Sequence, residues 1–257
     1  MMNETKEDKM LLAAVEDKFR QCGQSYMVTN TGFLDLRQRG LAETLCRQMT
    51  KGQQEISYCF FGGYEEAERT VCLFLPDYAS PKDSHPLTVI RAENLSKGKT
   101  LTHRDYLGSL TALGIRREMI GDILTGDEGA DILVMEEIAQ FLLLNYGKAG
   151  RVPLKLMQVP LEGLQIPEMR VKKQKDTVAS LRLDNVIASA FSLSRAKAAE
   201  AIRMGLVFLN SMQVEKIDAQ VKEGDKLVLR GKGKAYLRQV GQRTRKDRIF
   251  IVTERYL

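Results

Sequence analysis

The residues richest in chemistry are cations. In SLSRAKAAEAIRMG, residues 192–205, Ser194 opens a predicted helix, Ala-rich turns continue it and Gly205 stops it. Its first turn carries Arg195 and Lys197. A helix N-terminus exposes amide N–H groups and a partial positive charge, so each cation there is disfavoured by about 0.3–1 kcal/mol. Position 197, three residues after Ser194, holds Lys and not the Glu of a capping box. A phosphate would supply the missing negative charge and meet amides and cations together. On a helical wheel Arg195 lies in line with the apolar stripe of Ala198, Ala199, Ile202 and Leu206, Lys197 nearly opposite, and Arg203 on the flank. What Arg195 and Lys197 share is the helix end.

Other chemistries find little support. Cys22, Cys46, Cys59 and Cys72 are too widely spaced for a zinc motif and form no CxxC pair, so they read as reduced, buried thiols. The two histidines, His85 and His103, have no evident partner and read as surface or loop residues. The GKGK of residues 231–234 lacks the Gly-to-Lys spacing and the following Ser/Thr of a P-loop. Asp184 resembles a catalytic acid but reads as structural, near a helix start or paired with a cation. No catalytic residue, metal ligand or cofactor is expected.

The charge distribution narrows the partner. Residues 1–150 carry 17 Lys/Arg and 22 Asp/Glu, a net −5; residues 151–257 carry 22 and 11, a net +11. A basic C-terminal part beside an acidic N-terminal one predicts a localised polyanion surface, with nucleic acid the first candidate. An anionic membrane is second, and no basic amphipathic helix with large apolar residues supports it. No apolar run approaches the ~20 residues of a membrane span. The charged opening MMNETKEDKMLLAAVEDKF has no apolar signal core. The expectation is a cytoplasmic monomer with no membrane span.

The elements that must position these residues are of the α+β class. Helical spacing over 8–21 and 33–49, then β-branched and aromatic runs at 55–61 and 70–76, give a helical N-terminal region with a β-hairpin, residues 1–75. Residues 76–163 read β-α-β-β-α-β, the order of a ferredoxin-like domain and of RNA-recognition (RRM-like) modules. Its central strand ADILVMEE lacks the aromatics that stack RNA bases, so this domain is expected to be a scaffold or protein-contact module. A linker, 164–178, ends in the basic cluster Lys172, Lys173 and Lys175, on a strand entering the last domain. The last domain, 179–257, has two short helices before a small bent sheet. Its stretch 230–248, with Lys232 and Lys234, reads as a basic rim extending a phosphate footprint, and 248–256 as a last strand.

Arg182-Leu183-Asp184, Val186, Ser194-Arg195, Ala198, Ile202, Gly205, Val207, Asn210 and Gly224-Asp225 resemble, in order and spacing, the S4 (αL) RNA-binding domain. The resemblance implies that Arg182, Arg195, Lys197 and Arg203 reach RNA phosphates. Pseudouridine synthases, certain ribosomal-RNA methyltransferases and tyrosyl-tRNA synthetases also carry this domain, but their catalytic motifs are missing here. The whole-chain order, and GIRREMIGDILTGDEGADILVMEEIAQFLL in particular, resembles the YlmH family of bacterial proteins. That resemblance implies a non-enzymatic RNA-binding protein on the large ribosomal subunit, contacting ribosomal RNA and tRNA. It further implies ribosome-associated quality control of stalled nascent chains, with a tail-elongating factor as a partner, and a link to cell division. The alternatives are an RNA-modifying enzyme, pseudouridine synthase-like or a methyltransferase, and a cell-division adaptor.

Overall fold

A computed structural model describes residues 5–52, 55–96, 98–167 and 171–256. The chain mixes helices with antiparallel sheets and divides into two compact units, residues 1–167 and 168–257.

Unit 1 begins with two capped helices. In α1 (Lys6–Ser25) the Thr5 hydroxyl accepts from the Asp8 amide and the Asp8 carboxylate accepts from the Thr5 amide, a reciprocal capping box. After β1 (Thr29–Asn30), α2 (Leu36–Met49) repeats the device with Asp35 and Gln38. Arg37 then donates twice to the buried Asp8, at 2.7 and 2.6 Å, and ties α2 to the start of α1. Strands β2 (Ile56–Phe61) and β3 (Val71–Pro76) complete a three-stranded sheet in the order β1-β3-β2.

The six residues of β3, VCLFLP, are all buried. An unbroken apolar run of this kind needs cover on both faces. Cys72 and Phe74 pack with Val15, Cys22, Ala42 and Cys46 of the two helices. Val71, Leu73 and Leu75 face the other way and share a core with Phe33, Leu87, Met119, Leu133 and Met135. The division expected between residues 75 and 76 therefore falls inside one continuous core.

The second sheet of unit 1 is built from β4 (Leu87–Asn94), β5 (Ile120–Thr125), β6 (Gly129–Met135), β7 (Lys148–Ala149) and β8 (Val152–Val159). Its order is β5-β6-β4-β8-β7, and every pairing is antiparallel. Helices α3 (His103–Ala112) and α4 (Ala139–Asn145) cover one face through Tyr106, Leu110, Ala139 and Leu142 against Ile90, Ala92, Ile132 and Val134. The opposite face carries Leu87, Leu133 and Met135 and is covered by the N-terminal region. Gly121 marks how close the approach is. A Cβ there would lie 2.6 Å from Phe33 Cε1.

Polar groups lock the same junction. Arg69 donates to the carbonyls of Phe33, Arg117 and Ile120, while Asp122 accepts from the Tyr64 hydroxyl and from the amides of Glu68 and Arg69. Arg91 and the buried Asp131 form a bidentate pair that also holds the Gly163 carbonyl and the Gln165 amide. His85 is half-buried and stacks on Phe61, while His103 opens α3 and is exposed. The four cysteines are free thiols, with Cys46 and Cys72 sulfurs 3.8 Å apart.

Unit 2 opens with the strand expected at the end of the linker, and that strand takes up about half of it. Residues 168–170 of that linker lie outside the described residues, but β9 (Val171–Val178) is an edge strand of a six-stranded sheet. Its polar, cation-rich composition suits a strand with one edge and one face open to solvent. Then follow α5 (Leu183–Ala190), α6 (Arg195–Arg203), β10 (Val207–Leu209), β11 (Met212–Gln213), β12 (Lys226–Leu229), β13 (Gly233–Arg243) and β14 (Ile249–Tyr256). The sheet order is β11-β10-β12-β13-β14-β9. Both helices pack on one face, where Leu183, Val186, Ile187, Ala198 and Ile202 meet Val207, Leu227, Leu237 and Ile251.

Candidate nucleic-acid interface

Arg182 is the N-cap residue of α5, and Leu183, Val186, Ile187 and Ala190 form the buried stripe that fixes the helix on the sheet. The first-turn amides of Leu183 and Asp184 donate to the Ala219 and Ile217 carbonyls. These two amides are therefore satisfied within the chain. At α6 the Ser194 hydroxyl accepts from the Lys197 amide at 3.3 Å.

The negative charge missing from the start of α6 comes first from within the chain. Asp184, 2% exposed, accepts from Arg195 Nε at 2.8 Å and from Arg182 Nε at 3.1 Å. Burial raises the Asp184 pKa, but the hydrogen bonds and charges of the two guanidiniums outweigh it and hold the carboxyl below its ordinary value. Asp184 is thus paired with cations near a helix start, as expected, and a phosphate at the start of α6 would add to a charge that Asp184 already balances in part. One carboxylate gathers two guanidiniums, and the trio carries one net positive charge. The Arg195 side chain stays 59% exposed and that of Arg182 36% exposed. Each guanidinium has five N–H donors, so outward-facing donors remain for a bidentate anion.

The sequence held a clue to this pairing. Arg195 precedes Ala198 and Ile202 at helical spacing, so its side chain leaves from the buried side of α6 and reaches α5. Lys197 and Arg203 are exposed and make no ion pair among the described residues. Arg203 lies in the last turn, where a cation complements the helix dipole.

The remaining expected contacts do not share that surface. Along β9, Gln174 and Asp176 turn toward α5, where Gln174 donates to the Ser189 carbonyl and Asp176 accepts from the Ser189 hydroxyl. Strand alternation puts Lys172 on that same side and Lys173 and Lys175 on the opposite one. Lys173 pairs with Glu254 at 3.1 Å, and Glu254 also accepts from Arg238 at 2.7 Å. Lys232 is exposed in the turn between β12 and β13. Lys234 is a correction: it is 5% exposed, and its ammonium lies 5.3 Å from the centre of the Tyr256 ring. A cation so enclosed is not presented to a phosphate. Arg238, which sequence reading did not single out, stacks 4.5 Å over Tyr236.

In unit 1 the sheet face that would bear stacking aromatics in an RNA-recognition module carries Leu87, Leu133 and Met135 under the N-terminal region. That face offers no platform for bases.

Comparison with known proteins bears on unit 1 and on the chain as a whole, and does not reach the Arg182–Asp184–Arg195 trio itself. A family model described as "Putative RNA-binding domain in YlmH" matches residues 82–163. A curated relative, the "Ribosome-associated protein quality control protein P2" of Bacillus subtilis (strain 168), is 33% identical over 233 residues, covering 90% of this chain and 89% of its own. A solved structure, "Cell division protein ylmH from Streptococcus pneumoniae", is similar in fold with a TM-score of 0.51 at 22% identity, covering 64% of this chain and 99% of that one. With its two-unit α+β architecture and a relative at this identity over nearly its full length, the chain belongs to the YlmH family.

Proposed function

We propose that this protein is a non-enzymatic, cytoplasmic RNA-binding protein that docks on the large ribosomal subunit and assists quality control of stalled nascent chains. The observation that carries the reading is the Asp184-held pair of Arg182 and Arg195, exposed on the basic unit of the chain. Fixed guanidiniums suit the backbone of ribosomal RNA and tRNA, whose phosphates supply most of the affinity in such complexes. The name of the Bacillus relative supports the ribosomal setting.

The domain reading follows. Two helices before an antiparallel sheet, with Arg182, Asp184, Arg195 and Gly205 in place, support an S4 domain from residue 179 onward. Strand order β5-β6-β4-β8 with two helices on one face supports a ferredoxin-like middle domain. Its covered sheet favours a scaffold role. Lys197, Arg203 and Lys172 extend the helix-side footprint, while Lys175, on the other side of β9, and Lys232, in the β12–β13 turn, offer further exposed cations. The protein acts as a monomer and works beside a tail-elongating factor.

The test is cosedimentation with purified large subunits. Arg182→Ala with Arg195→Ala is expected to abolish it while the protein stays folded. Undiminished cosedimentation of that double variant overturns the site.

A further inference from the structure

The basic run 242–248 is a rigid hairpin tip whose cations divide into two kinds. Strands β13 and β14 pair up to Arg243 and Ile249. The tip is closed by the Thr244 amide donating to the Arg248 carbonyl at 2.7 Å. Arg243 donates to the Asp247 carboxylate at 2.8 Å, and Arg248 donates to the hydroxyl and carbonyl of Thr177 on β9. These two arginines brace the turn. Arg245 and Lys246, between them, are exposed and make no hydrogen bond or ion pair among the described residues.

The tip also has a defined place. Ile249 lies opposite Val178, the last residue of β9, and four residues later the chain reaches Arg182. The loose cations of the tip and the Arg182–Asp184–Arg195 trio therefore stand at the same end of unit 2, each on a fixed element.

We infer that Arg245 and Lys246 are a second phosphate contact that, with the Arg182–Arg195 pair, grips the backbone of double-helical RNA at two points. This rests on the RNA-binding reading above and adds the form of RNA. The tip residues 244–247, Thr-Arg-Lys-Asp, include no aromatic ring on which an unpaired base could stack. A braced turn and a held guanidinium pair suit phosphates that a duplex already holds in place, because the backbones on both sides are set before binding and only the Arg245 and Lys246 side chains must be ordered.

The test uses the full chain, a 20-base-pair RNA duplex of arbitrary sequence and a 20-nucleotide oligouridine, titrated over a range of salt concentrations. Arg245→Ala with Lys246→Ala is expected to weaken duplex binding roughly tenfold at physiological salt. It should also flatten the log-log salt dependence by about 1–2, near one unit per lost phosphate contact. Oligouridine binding should change less than twofold. Both residues are exposed and unpaired, so the circular dichroism spectrum should be unchanged. If the variant keeps the wild-type salt slope while Arg182→Ala with Arg195→Ala loses binding, the hairpin inference fails and the RNA reading stands. If oligouridine binding falls as much as duplex binding, the duplex assignment is overturned. If the wild-type protein binds neither probe, both readings fall.

Discussion

Arg195 reaches back eleven residues to Asp184, with 2.8 Å between Nε and Oδ2, and so joins the starts of two consecutive helices. The carboxylate is buried and the guanidinium is not. Asp184 thus acts as a holder for cations that work at the surface. Asp184→Ala is expected to destabilise unit 2 by about 1–3 kcal/mol, the range for losing charge-assisted hydrogen bonds, in a urea titration. RNA affinity should fall as well, by roughly tenfold, because freeing a long side chain restores about 1–2 kcal/mol of rotamer entropy that binding must then remove. Unchanged affinity in a folded variant would sink the holding role.

Acid should uncouple the first two helices. The Asp8 carboxyl lies well below the usual carboxylate range, chiefly through its hydrogen bonds from Arg37, with burial opposing. A depressed folded pKa adds stability that is complete above the unfolded value of about 3.9 and is lost as the pH falls through the lower folded value. The gap in unfolding free energy between wild type and Asp8→Asn should therefore be constant from pH 7 to 5 and shrink steadily below pH 4. A gap that widens with acid contradicts the pairing.

Gly121→Ala tests the cover over the second sheet of unit 1. The added methyl would meet Phe33 at 2.6 Å and the Leu133 Cβ at 3.0 Å. Overpacking of this kind costs about 1–3 kcal/mol. A lowered urea midpoint is expected, with partial recovery on adding Phe33→Leu. An Ala variant as stable as wild type would show that the two surfaces are not in contact.

The thiols should divide by burial. Cys22 and Cys72 are fully buried; burial raises the Cys22 pKa, and the neighbouring Cys46 thiol, with burial, raises that of Cys72. Cys59 is only half-buried, though its pKa is raised too. Native protein treated with iodoacetamide at pH 8 should be alkylated first, and slowly, at Cys59, with the other three protected until urea is added. Mass spectrometry of the digested protein reads this directly, and early labelling of Cys72 would contradict the packing.

Element types were largely legible because they depend on local period. The β-branched and apolar runs became β2 to β6 and β8, with the two-residue β7 unforeseen, and the Ala-rich SLSRAKAAEAIRMG became α6 with its Ser194 cap. Partnerships were less so. KKQKDTV suggested a strand but neither its extent nor its partner, because β9 is defined by its pairing with β14 and not by an apolar face. The destination of Arg195 was half legible: its place on the apolar stripe gave the direction, and the fold supplied Asp184. Lys234 was misread because a GKGK run looks exposed, whereas Lys232 stays in the turn and Lys234 enters β13, where its ammonium lies over an aromatic ring. The carbonyl-bound Arg69 left no trace in the pattern, since backbone acceptors carry no residue signature.

The pairing of β9 with β14 brings the first strand of unit 2 against its last, with Val171 opposite Tyr256. During synthesis β9 emerges first and must wait, edge unpaired, while every other element of the unit is made. The pairing that joins the ends of unit 2 can therefore form only after β14 has emerged. The rows of lysine along β9 keep that waiting edge soluble and discourage premature pairing with other chains.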